Sequence, residues 1–362
     1  KKILKFTGTN VSRNTTTGYY ECNGTGSGTL TFPKKYLVKV VVEPAVSGTP
    51  SWTKKSCNLL LINGSEYWCN YGELSVGPVN GVNKLLAVNI AGNTASSTDG
   101  YNWTQETVVS FSDSHEMLFS APVYANGIWT TVRERYNHIS GTYTSSDGIH
   151  WSFTANSALD NWCSNIHFAN GIFMFHNYGD GYAYVSTDGL NWTKKGRIYI
   201  NCRSTFLSYA NGTWIAVPIS GSGSGGKVYK STDNGESWTA YYPNLLFSDL
   251  FCGGPYVNGY FYAVMTSTVY RSTDGVTWES FGNLGCLTKH YNITYYNGRF
   301  YVLGRNGACC HICDLGVGEI NFSNLNYNSG NYCTLKNETY PIGERREFYI
   351  EPSQISGTTI SF

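Results

Sequence analysis

The feature that most constrains the fold is a short motif that recurs five times. Each copy begins with Ser, continues with Asp two residues later and a Gly close behind, and ends in Trp. The copies contain Asp99 and Trp103, Asp147 and Trp151, Asp188 and Trp192, Asp233 and Trp238, and Asp274 and Trp278. Successive aspartates are 48, 41, 45 and 41 residues apart. A motif that returns at such a constant spacing indicates a repeat architecture.

A second motif, Asn-Gly, runs in phase with the first. It begins at Asn80, Asn126, Asn170, Asn211, Asn258 and Asn297. Apolar or aromatic runs follow these pairs, such as Ile128 to Val132 and Thr213 to Val217. Both residues of Asn-Gly tolerate a positive φ, and the pair between apolar runs is the strongest short signal for a β-hairpin. Each repeat therefore predicts a strand, an Asn-Gly turn, a strand, a loop, a short strand, an Asp-Gly turn and a strand.

Four strands in every repeat of roughly 40 to 50 residues predict the blade of a β-propeller. We therefore predict an all-β chain with about six four-stranded blades over residues 73–325. The sixth repeat has no clean Asp motif, because the run from Ile312 to Gly316 stands in its place. That blade is then degenerate, or the number of blades is five.

The repeated pattern resembles the Asp-box of sialidase-like and related β-propellers. The resemblance covers the five motifs, about two-thirds of the chain with the intervening strands. It implies a propeller, but it selects no function, since Asp-box propellers include hydrolases, sorting receptors, assembly factors and viral adhesion proteins. In physical terms the motif is a fold device: the Asp accepts backbone N–H groups, the Gly supplies a positive φ, and the Trp packs between blades.

The two ends of the chain lack the repeat. Residues 1–72 contain a Thr-Phe-Pro stretch at Thr31 to Pro33 before a Val-rich run at Tyr36 to Glu43. This stretch is similar to the small β modules that recur in phage tail-fibre proteins. Residues 326–362 also have strand-like patterns, and we expect them to complete one β-sandwich with the N-terminal module. Alternatively, Tyr67-Trp68 or the C-terminal tail completes a blade.

Composition excludes several classes. Only 14% of the residues are charged and the formal net charge is +1, so the chain has no basic excess for binding nucleic acid. No run of about 18 apolar residues predicts a membrane span. The eleven cysteines are scattered and odd in number, which favours mostly free thiols and assembly in a reducing cell. The start at Lys1 suggests a processed chain or a segment of a longer protein.

In the predicted propeller, the connections between strands lie at two opposite ends of the blades. The Asn-Gly and Asp-Gly turns are uniform and fall at one end, whereas the remaining loops are variable and fall at the other. Binding residues commonly lie on such loops above a rigid scaffold. Aromatic rings there can stack on sugar C–H faces, and Arg, His and Asp can bind hydroxyls. The candidate ligand-binding residues are His115, Arg133, Arg135, Tyr136, His138, Trp162, His176, Tyr178, Asp180 and Arg203.

Enzyme and cofactor signatures are weak. A sialidase could use arginines from Arg133, Arg135, Arg203 and Arg305, but the Phe/Tyr-Arg-Ile-Pro motif of that family is missing. No spacing selects a carboxylate pair from Glu116, Glu134, Asp160 and Asp180. The Gly221 to Lys227 loop lacks the Ser/Thr and helix of a phosphate loop. Adjacent Cys309 and Cys310 would point to opposite faces of a strand, which disfavours a shared zinc site. We therefore predict no catalytic residue, metal or cofactor.

The prediction that follows is a receptor-binding or adhesion protein of a phage tail fibre or tail tip. Its partners would be a host cell-surface glycan or glycoprotein and other virion proteins, without nucleic acid or membrane insertion, and a homotrimer is left open. The chain would be assembled in the host cytoplasm and act outside the cell, in the virion tail. The alternative is a glycoside hydrolase of sialidase-like architecture, and a third is a purely structural virion or cell-surface protein.

Overall fold

The protein is described by a computed structural model. The structure describes residues 5–8, 11–13, 20–22, 27–31, 38–42, 50–59, 74–88, 93–107, 118–119, 121–134, 140–156, 159, 163, 166–177, 179–199, 205–218, 226–245, 250–265, 267–285, 293–304, 309–315, 317–323, 338–341, 346–350 and 358–361. These residues form β-strands and turns with almost no helix. The chain divides into two compact units, one of Thr49–Tyr296 with Phe300–Asp314 and one of Lys1–Gly48, Asn297–Arg299 and Leu315–Phe362.

The larger unit is a six-bladed β-propeller, as the repeats predict. Five blades use consecutive stretches of chain, and each is an antiparallel sheet with its strands in sequence order. Blade 1 has the strands Ser75–Val79, Val82–Val88, Thr94–Ser97 and Thr104–Thr107. Blade 2 has Leu118–Phe119 with Val123–Ala125, then Ile128–Glu134, Gly141–Ser145 and Ser152–Ala155, and blade 3 has His167–Ala169, Ile172–His176, Tyr182–Ser186 and Thr193–Arg197. Blade 4 has Thr205–Ala210, Thr213–Pro218, Val228–Ser231 and Thr239–Tyr241, and blade 5 has Leu250–Val257, Tyr260–Met265, Thr268–Ser272 and Glu279–Asn283. The first strands contact one another in a closed ring.

Blade 6 closes the ring by combining distant parts of the chain. Its first three strands are Thr294–Tyr296, Arg299–Leu303 and Cys309–Asp314, and its fourth strand is Trp52–Ser56. Cys309 pairs with Ser56 and Cys313 with Trp52, in antiparallel register. The third and fourth strands are thus not consecutive in sequence, so no turn joins them. This explains why the sixth repeat has no Asp motif, and it places residues 52–56 in the propeller although they precede its first predicted residue.

The second unit contains strands from both ends of the chain. Its five-stranded sheet has the order Lys5–Gly8, Ser27–Thr31, Thr358–Ser361, Val317–Ser323 and Glu338–Pro341. Two further pairs are Val11–Arg13 with Tyr20–Cys22 and Val38–Val42 with Arg346–Ile350. The N-terminal and C-terminal segments therefore share sheets. The predicted domain boundaries at residues 72 and 326 stay predictions.

The six Asn-Gly turns adopt the conformation that their sequence favours. Their asparagines all have φ between 47° and 54°, and the glycines that follow have φ between 77° and 83°. Two successive residues with positive φ give a turn whose twist matches that of the flanking strands. Each turn therefore joins the first two strands of its blade, which sets the register of the pair.

The five Ser-x-Asp turns share one hydrogen-bond pattern. The Ser hydroxyl donates to the Asp Oδ1 at 2.7 to 3.0 Å and accepts the N–H of the turn glycine at 2.8 to 2.9 Å. In blade 3, Asp188 Oδ1 also accepts the N–H groups of Asn191 and Leu190, at 2.8 and 2.9 Å. These bonds hold the pKa of Asp188 well below its usual value. The turn thus satisfies backbone donors that a tight connection would leave unpaired.

Each turn glycine also lies against the preceding blade. A Cβ on Gly189, whose φ is +74°, would lie 2.3 Å from Thr130 Oγ1 of blade 2. At the closing junction, a Cβ on Gly100 would lie 2.4 Å from the Tyr301 ring of blade 6. No side chain fits at either position. Glycine is therefore required for two reasons: it adopts the positive φ of the turn, and it lets the turn approach the preceding blade closely.

Two asparagines form further links between blades. Asn58, which follows the fourth strand of blade 6, accepts the Trp103 N–H at 2.7 Å and donates its Nδ2 to the Trp103 carbonyl at 3.0 Å. Asn244 makes the same pair of bonds to Trp278, at 2.8 and 3.0 Å, between blades 4 and 5. One side chain thus satisfies both backbone groups of a motif tryptophan in the next blade.

Ser186→Ala tests the Ser-x-Asp turn. The Ser186 side chain is buried, so its loss leaves the Gly189 N–H without its acceptor inside the blade junction. We expect the free energy of unfolding to fall by about 1 to 3 kcal/mol. Urea denaturation followed by tryptophan fluorescence measures this change. Thr187→Ala is the matched control, because that exposed neighbour makes no side-chain hydrogen bond among the described residues; an equal loss in both variants would contradict the assignment.

Asn58→Ala tests the link across the closing junction. Two hydrogen bonds to Trp103 are lost, so we expect a destabilisation of about 1 to 2 kcal/mol. Asn244→Ala should behave alike, since it removes the same two bonds at Trp278. The control is Asn83→Ala, whose exposed side chain makes no hydrogen bond among the described residues. A thermal shift of Asn58→Ala no larger than that of Asn83→Ala would count against the link.

Candidate functional site

The two kinds of turn lie together at one end of the ring. Asn80 N donates to the Asp147 carbonyl at 2.9 Å, and Asn126 Nδ2 donates to the Thr187 carbonyl at 3.2 Å. In both cases an Asn-Gly turn contacts the Ser-x-Asp turn of the following blade. We call this end of the propeller the turn end. Because the strands alternate in direction, all other connections fall at the opposite end, which we call the loop end.

Most of the predicted ligand-binding residues belong to the loop-end connections. Arg133 lies in the strand Ile128–Glu134, at the end that leads into the loop. Seven further candidates lie outside the described residues: His115, Arg135, Tyr136, His138, Trp162, Tyr178 and Arg203. Their convergence into one site therefore remains a prediction. His176 and Asp180 are the two candidates whose side chains the structure describes.

His176 is fully buried at the end of the second strand of blade 3. Its Nδ1 is 3.1 Å from Thr205 Oγ1 of blade 4. Burial lowers the pKa of His176 from 6.5 to about 4, although the nearby Asp180 carboxylate acts in the opposite direction. The ring is therefore neutral at pH 7 and packs between blades. Because it is enclosed, it does not contact solvent at the loop end, where the sequence had placed it.

Asp180 is held by its own blade. Its carboxylate accepts the Tyr182 N–H at 3.1 Å and the Tyr184 hydroxyl at 2.9 Å, and it is 2.9 Å from Lys194 Nζ. Partial burial alone would raise its pKa, but Lys194 and these hydrogen bonds hold the pKa below its usual value. Asn177 caps the same turn, accepting the Gly179 N–H at 2.9 Å. The charge of Asp180 is thus neutralised within the scaffold, which leaves it poorly suited to act as a general acid or base.

A cavity of about 310 Å³ lies between the first strands of the blades. Its lining includes His167 and Phe168 of blade 3, Ser208 and Tyr209 of blade 4, and Tyr256 of blade 5. Its volume is at the lower limit for small-molecule sites. The wall combines aromatic rings with hydroxyl groups, which can bind a small ligand that has both apolar and polar surfaces.

Aromatic pairs recur at the first two strands of the blades, and four of their rings, Phe168, Tyr209, Trp214 and Tyr256, line the central cavity. In five blades the residue two before Asn-Gly is aromatic and contacts an aromatic residue of the second strand. Ring centroids are 4.7 to 5.3 Å apart in the pairs Tyr124–Trp129, Phe168–Phe173, Tyr209–Trp214, Tyr256–Phe261 and Tyr295–Phe300. Such tilted contacts add stability beyond the burial of the rings. The aromatic residue two positions before Asn-Gly is a periodic signal that the sequence itself carries.

Two equivalent tryptophans differ in their hydrogen bonds. Trp129 Nε1 donates to the Pro78 carbonyl of the preceding blade at 2.8 Å, where Gly77 leaves room for the indole. At Trp214, the equivalent neighbour is His167 rather than glycine, and Nε1 has no hydrogen-bond acceptor among the described residues. Burial lowers the pKa of His167 to about 4, so its ring is neutral at pH 7. The lining of the central cavity therefore includes a neutral imidazole from blade 3 and an indole from blade 4.

Among the cysteines whose side chains the structure describes, Cys57, Cys310 and Cys313 are free thiols. Burial raises the pKa of the Cys313 thiol to about 12 and that of Cys310 above its usual value. Both are therefore protonated and unreactive at neutral pH. Among the described residues, His, Cys, Asp and Glu form no group of three or more that could hold a metal ion.

Comparisons with known proteins agree with the fold. No protein-family model and no curated protein sequence matches the chain. A catalytically inactive virginiamycin B lyase from Staphylococcus aureus with quinupristin is 11% identical, covers 85% of this chain and 99% of its own, and has a TM-score of 0.51. A protein of unknown function from Bacteroides thetaiotaomicron is also 11% identical, with coverages of 81% and 82% and a TM-score of 0.51. YCF48, solved with a bound peptide, is 16% identical, with coverages of 75% and 99% and a TM-score of 0.46.

Identities this low show the propeller fold alone. Neither the Asp-box family nor the phage tail fibre is selected by these neighbours, so both resemblances stay at the level of the sequence. The described residues also contain no helix that is long and apolar enough to cross a membrane.

The buried His176 predicts a loss of stability at mildly acidic pH. Between pH 6.5 and about 4, the unfolded chain binds a proton at this position and the folded chain does not. Stability therefore falls as the pH is lowered through this window. His176 alone contributes about 2 kcal/mol of this loss from pH 7 to pH 5, and His167, whose pKa is also lowered to about 4, adds a similar loss in both the natural chain and any His176 variant. The lowered pKa values of Asp99 and Asp188 act in a different window, below 3.8, where their carboxylates become protonated.

Urea denaturation at pH 7 and pH 5 measures the effect, with His176→Asn as the comparison. The variant is expected to be less stable than the natural chain at pH 7 but to lose about 2 kcal/mol less on going to pH 5. An equal loss in both proteins would contradict a folded-state pKa well below that of the unfolded chain.

Proposed function

We propose that this chain is a binding protein that attaches to cell-surface glycans through the loop end of its propeller, as part of a phage tail fibre or tail tip. The observation that carries the proposal is the separation of the two ends. The turns bond to each other across blade boundaries, as Asn80 does to Asp147 and Asn126 to Thr187. Their sequence is constrained by these contacts, whereas the loop-end connections vary in length and chemistry on the same rigid ring.

The chemistry of the loop-end segments supports a glycan as ligand. Arg135, Tyr136, His138 and Tyr178 belong to these segments, and they combine hydrogen-bond donors with aromatic rings. Such side chains suit the alternating hydroxyl and C–H surfaces of sugars. The tail-fibre part of the proposal rests on the sequence of the N-terminal module. Both parts are independent of the fold neighbours, whose low identity carries no function.

Binding is favoured over hydrolysis by the state of Asp180. This carboxylate is a member of the carboxylate set that the hydrolase alternative requires, and its contacts with Tyr184 and Lys194 tie it to the scaffold. A glycoside hydrolase needs a general acid with a raised pKa, and the lowered pKa of Asp180 does not fit that role. The experiment below distinguishes the two functions, because a hydrolase would release sugar from the glycans that it binds.

A glycan array with the full chain, followed by assays for sugar release from the glycans that bind, tests the proposal. We expect binding without product. Arg135→Ala and Tyr178→Ala should each weaken binding at least tenfold without changing the unfolding midpoint, and Thr187→Ala at the turn end should not weaken it. Product formation would contradict the proposal in favour of a hydrolase. Undiminished binding by both loop-end variants would show that the binding surface is elsewhere, and no binding to any glycan would favour a structural role.

A further inference from the structure

A second cavity lies at the turn end, in the cleft between blades 4 and 5. Its volume is about 340 Å³. Every residue that lines it is described by the structure, and we call it the 4/5 groove. Its lining includes the side chains of Asn211, Thr213, Lys230, Tyr241, Thr273 and Asp274. The first four belong to blade 4, and the last two belong to the Ser-x-Asp turn of blade 5.

One residue of the groove lining departs from the repeat. The residue two after the Asn of each Asn-Gly turn is large or apolar in the other blades: Val82, Ile128, Ile172, Tyr260 and Arg299. In blade 4 it is Thr213, which is smaller than all of these except Val82 and carries a hydroxyl. The residue two further on keeps its packing role, since Ile215 lies against Gly275 as Met174 lies against Gly235. The difference is therefore confined to the outer part of the cleft.

The preceding junction, between blades 3 and 4, is bridged at its outer side. Gly196 N donates to the Gly235 carbonyl at 2.7 Å, and Lys195 pairs with Glu236. The turn of blade 4 is one residue longer than the other four, which brings Glu236 to this position. The turn of blade 5 has no such extra residue. Tyr241 of blade 4 projects beside it instead, with 40% of its surface exposed.

The groups in the 4/5 groove are available to a ligand. The hydroxyls of Thr213, Thr239 and Thr273 make no hydrogen bond within the described part of the chain. Lys230 Nζ lies 4.8 Å from the centroid of the Tyr241 ring, a cation–π contact that orients both side chains. An oriented aromatic ring beside unengaged hydroxyls offers an apolar surface and several hydrogen bonds within one small cavity.

The charges in the groove select the class of ligand. Lys230 supplies one positive charge and Asp274 one negative charge, so the lining has no net charge. Asp274 Oδ1 already accepts N–H groups from Val276 and Thr277 at 2.8 and 2.7 Å. A phosphate, sulfate or carboxylate would meet the Asp274 carboxylate as well as the ammonium group, and like charges repel. The balance favours a neutral molecule with several hydroxyl groups.

We propose that the 4/5 groove is a binding site for a neutral sugar residue, with the apolar face of a pyranose ring against Tyr241 and its hydroxyls bonded to Lys230, Thr213 and Thr273. Sugars combine an apolar C–H face with hydroxyls that both donate and accept, which matches this lining. The site lies at the turn end. It therefore involves none of the loop-end residues of the proposed function and stands or falls separately from it.

Two variants and two controls test the groove. Thr213→Ile introduces the residue that blade 3 has at the equivalent position, Ile172, and should fill the groove without disturbing the strand. Tyr241→Ala removes the exposed ring. This second variant tests the groove independently if Thr213→Ile fails to fold. Tyr199→Ala is the matched control, since Tyr199 is an exposed tyrosine with 66% of its surface accessible and also contacts a cation, Arg197. Arg135→Ala serves as the loop-end control.

The probes are the methyl glycosides of galactose, glucose, mannose and N-acetylglucosamine, titrated to millimolar concentrations against the full chain by saturation-transfer NMR and calorimetry. We expect at least one glycoside to bind, and we expect Thr213→Ile and Tyr241→Ala to weaken that binding at least tenfold, with little change in Tyr199→Ala. The proposal is overturned if no glycoside binds, or if binding survives in both groove variants. Loss in Arg135→Ala but in neither groove variant would assign the binding to the loop end and overturn the groove proposal. Loss in the groove variants supports the groove and leaves the loop-end proposal to the glycan array.

Discussion

The contact between a turn glycine and the preceding blade is the interaction on which the propeller depends. At Gly189 and Gly100 the blades approach so closely that a side chain would overlap Thr130 or Tyr301. The Ser and Asp of the same motif hold this glycine in its left-handed conformation, because the Ser hydroxyl accepts its N–H. One short motif thus shapes its own turn and sets the distance between neighbouring blades. Five copies are enough, since the sixth blade is closed by a strand from the other end of the propeller segment.

The difference between the turn end and the loop end determines where a binding site can arise. Substitutions at the turn end disturb contacts between blades, so that end keeps a uniform sequence. Residues at the turn end that depart from this uniform sequence therefore indicate a candidate binding site. Thr213 and Tyr241 differ from their equivalents in the other blades, yet the Ser-x-Asp turn beside them is intact. The loop-end connections differ in length and side chains. The two proposed sites follow from these two situations: one uses the variability of loops, and the other uses a gap in an otherwise regular cleft.

Many aromatic residues serve the fold. The pair Tyr209–Trp214 and the Phe168 ring line the central cavity, and Trp103 and Trp278 are buried in the Ser-x-Asp turns. An aromatic fraction of 15% is therefore no sign of sugar binding by itself. The informative aromatic residues are those with exposed rings next to unengaged polar groups, of which Tyr241 is the described example.

The sequence by itself determined the hairpins, the blade period and the all-β class, because Asn-Gly and Ser-x-Asp act over a few residues and impose local backbone conformations. Asn126 and Asp188 could be assigned in this way without any tertiary information. Only the tertiary structure decided that Trp52–Ser56 completes blade 6, since strand pairing between segments more than 250 residues apart leaves no local signal. It also decided that His176 is enclosed and Asp180 is tied to Lys194, because burial and ion pairing depend on neighbours from other strands. The 4/5 groove belongs to this second class, since a cleft exists only once two blades stand side by side.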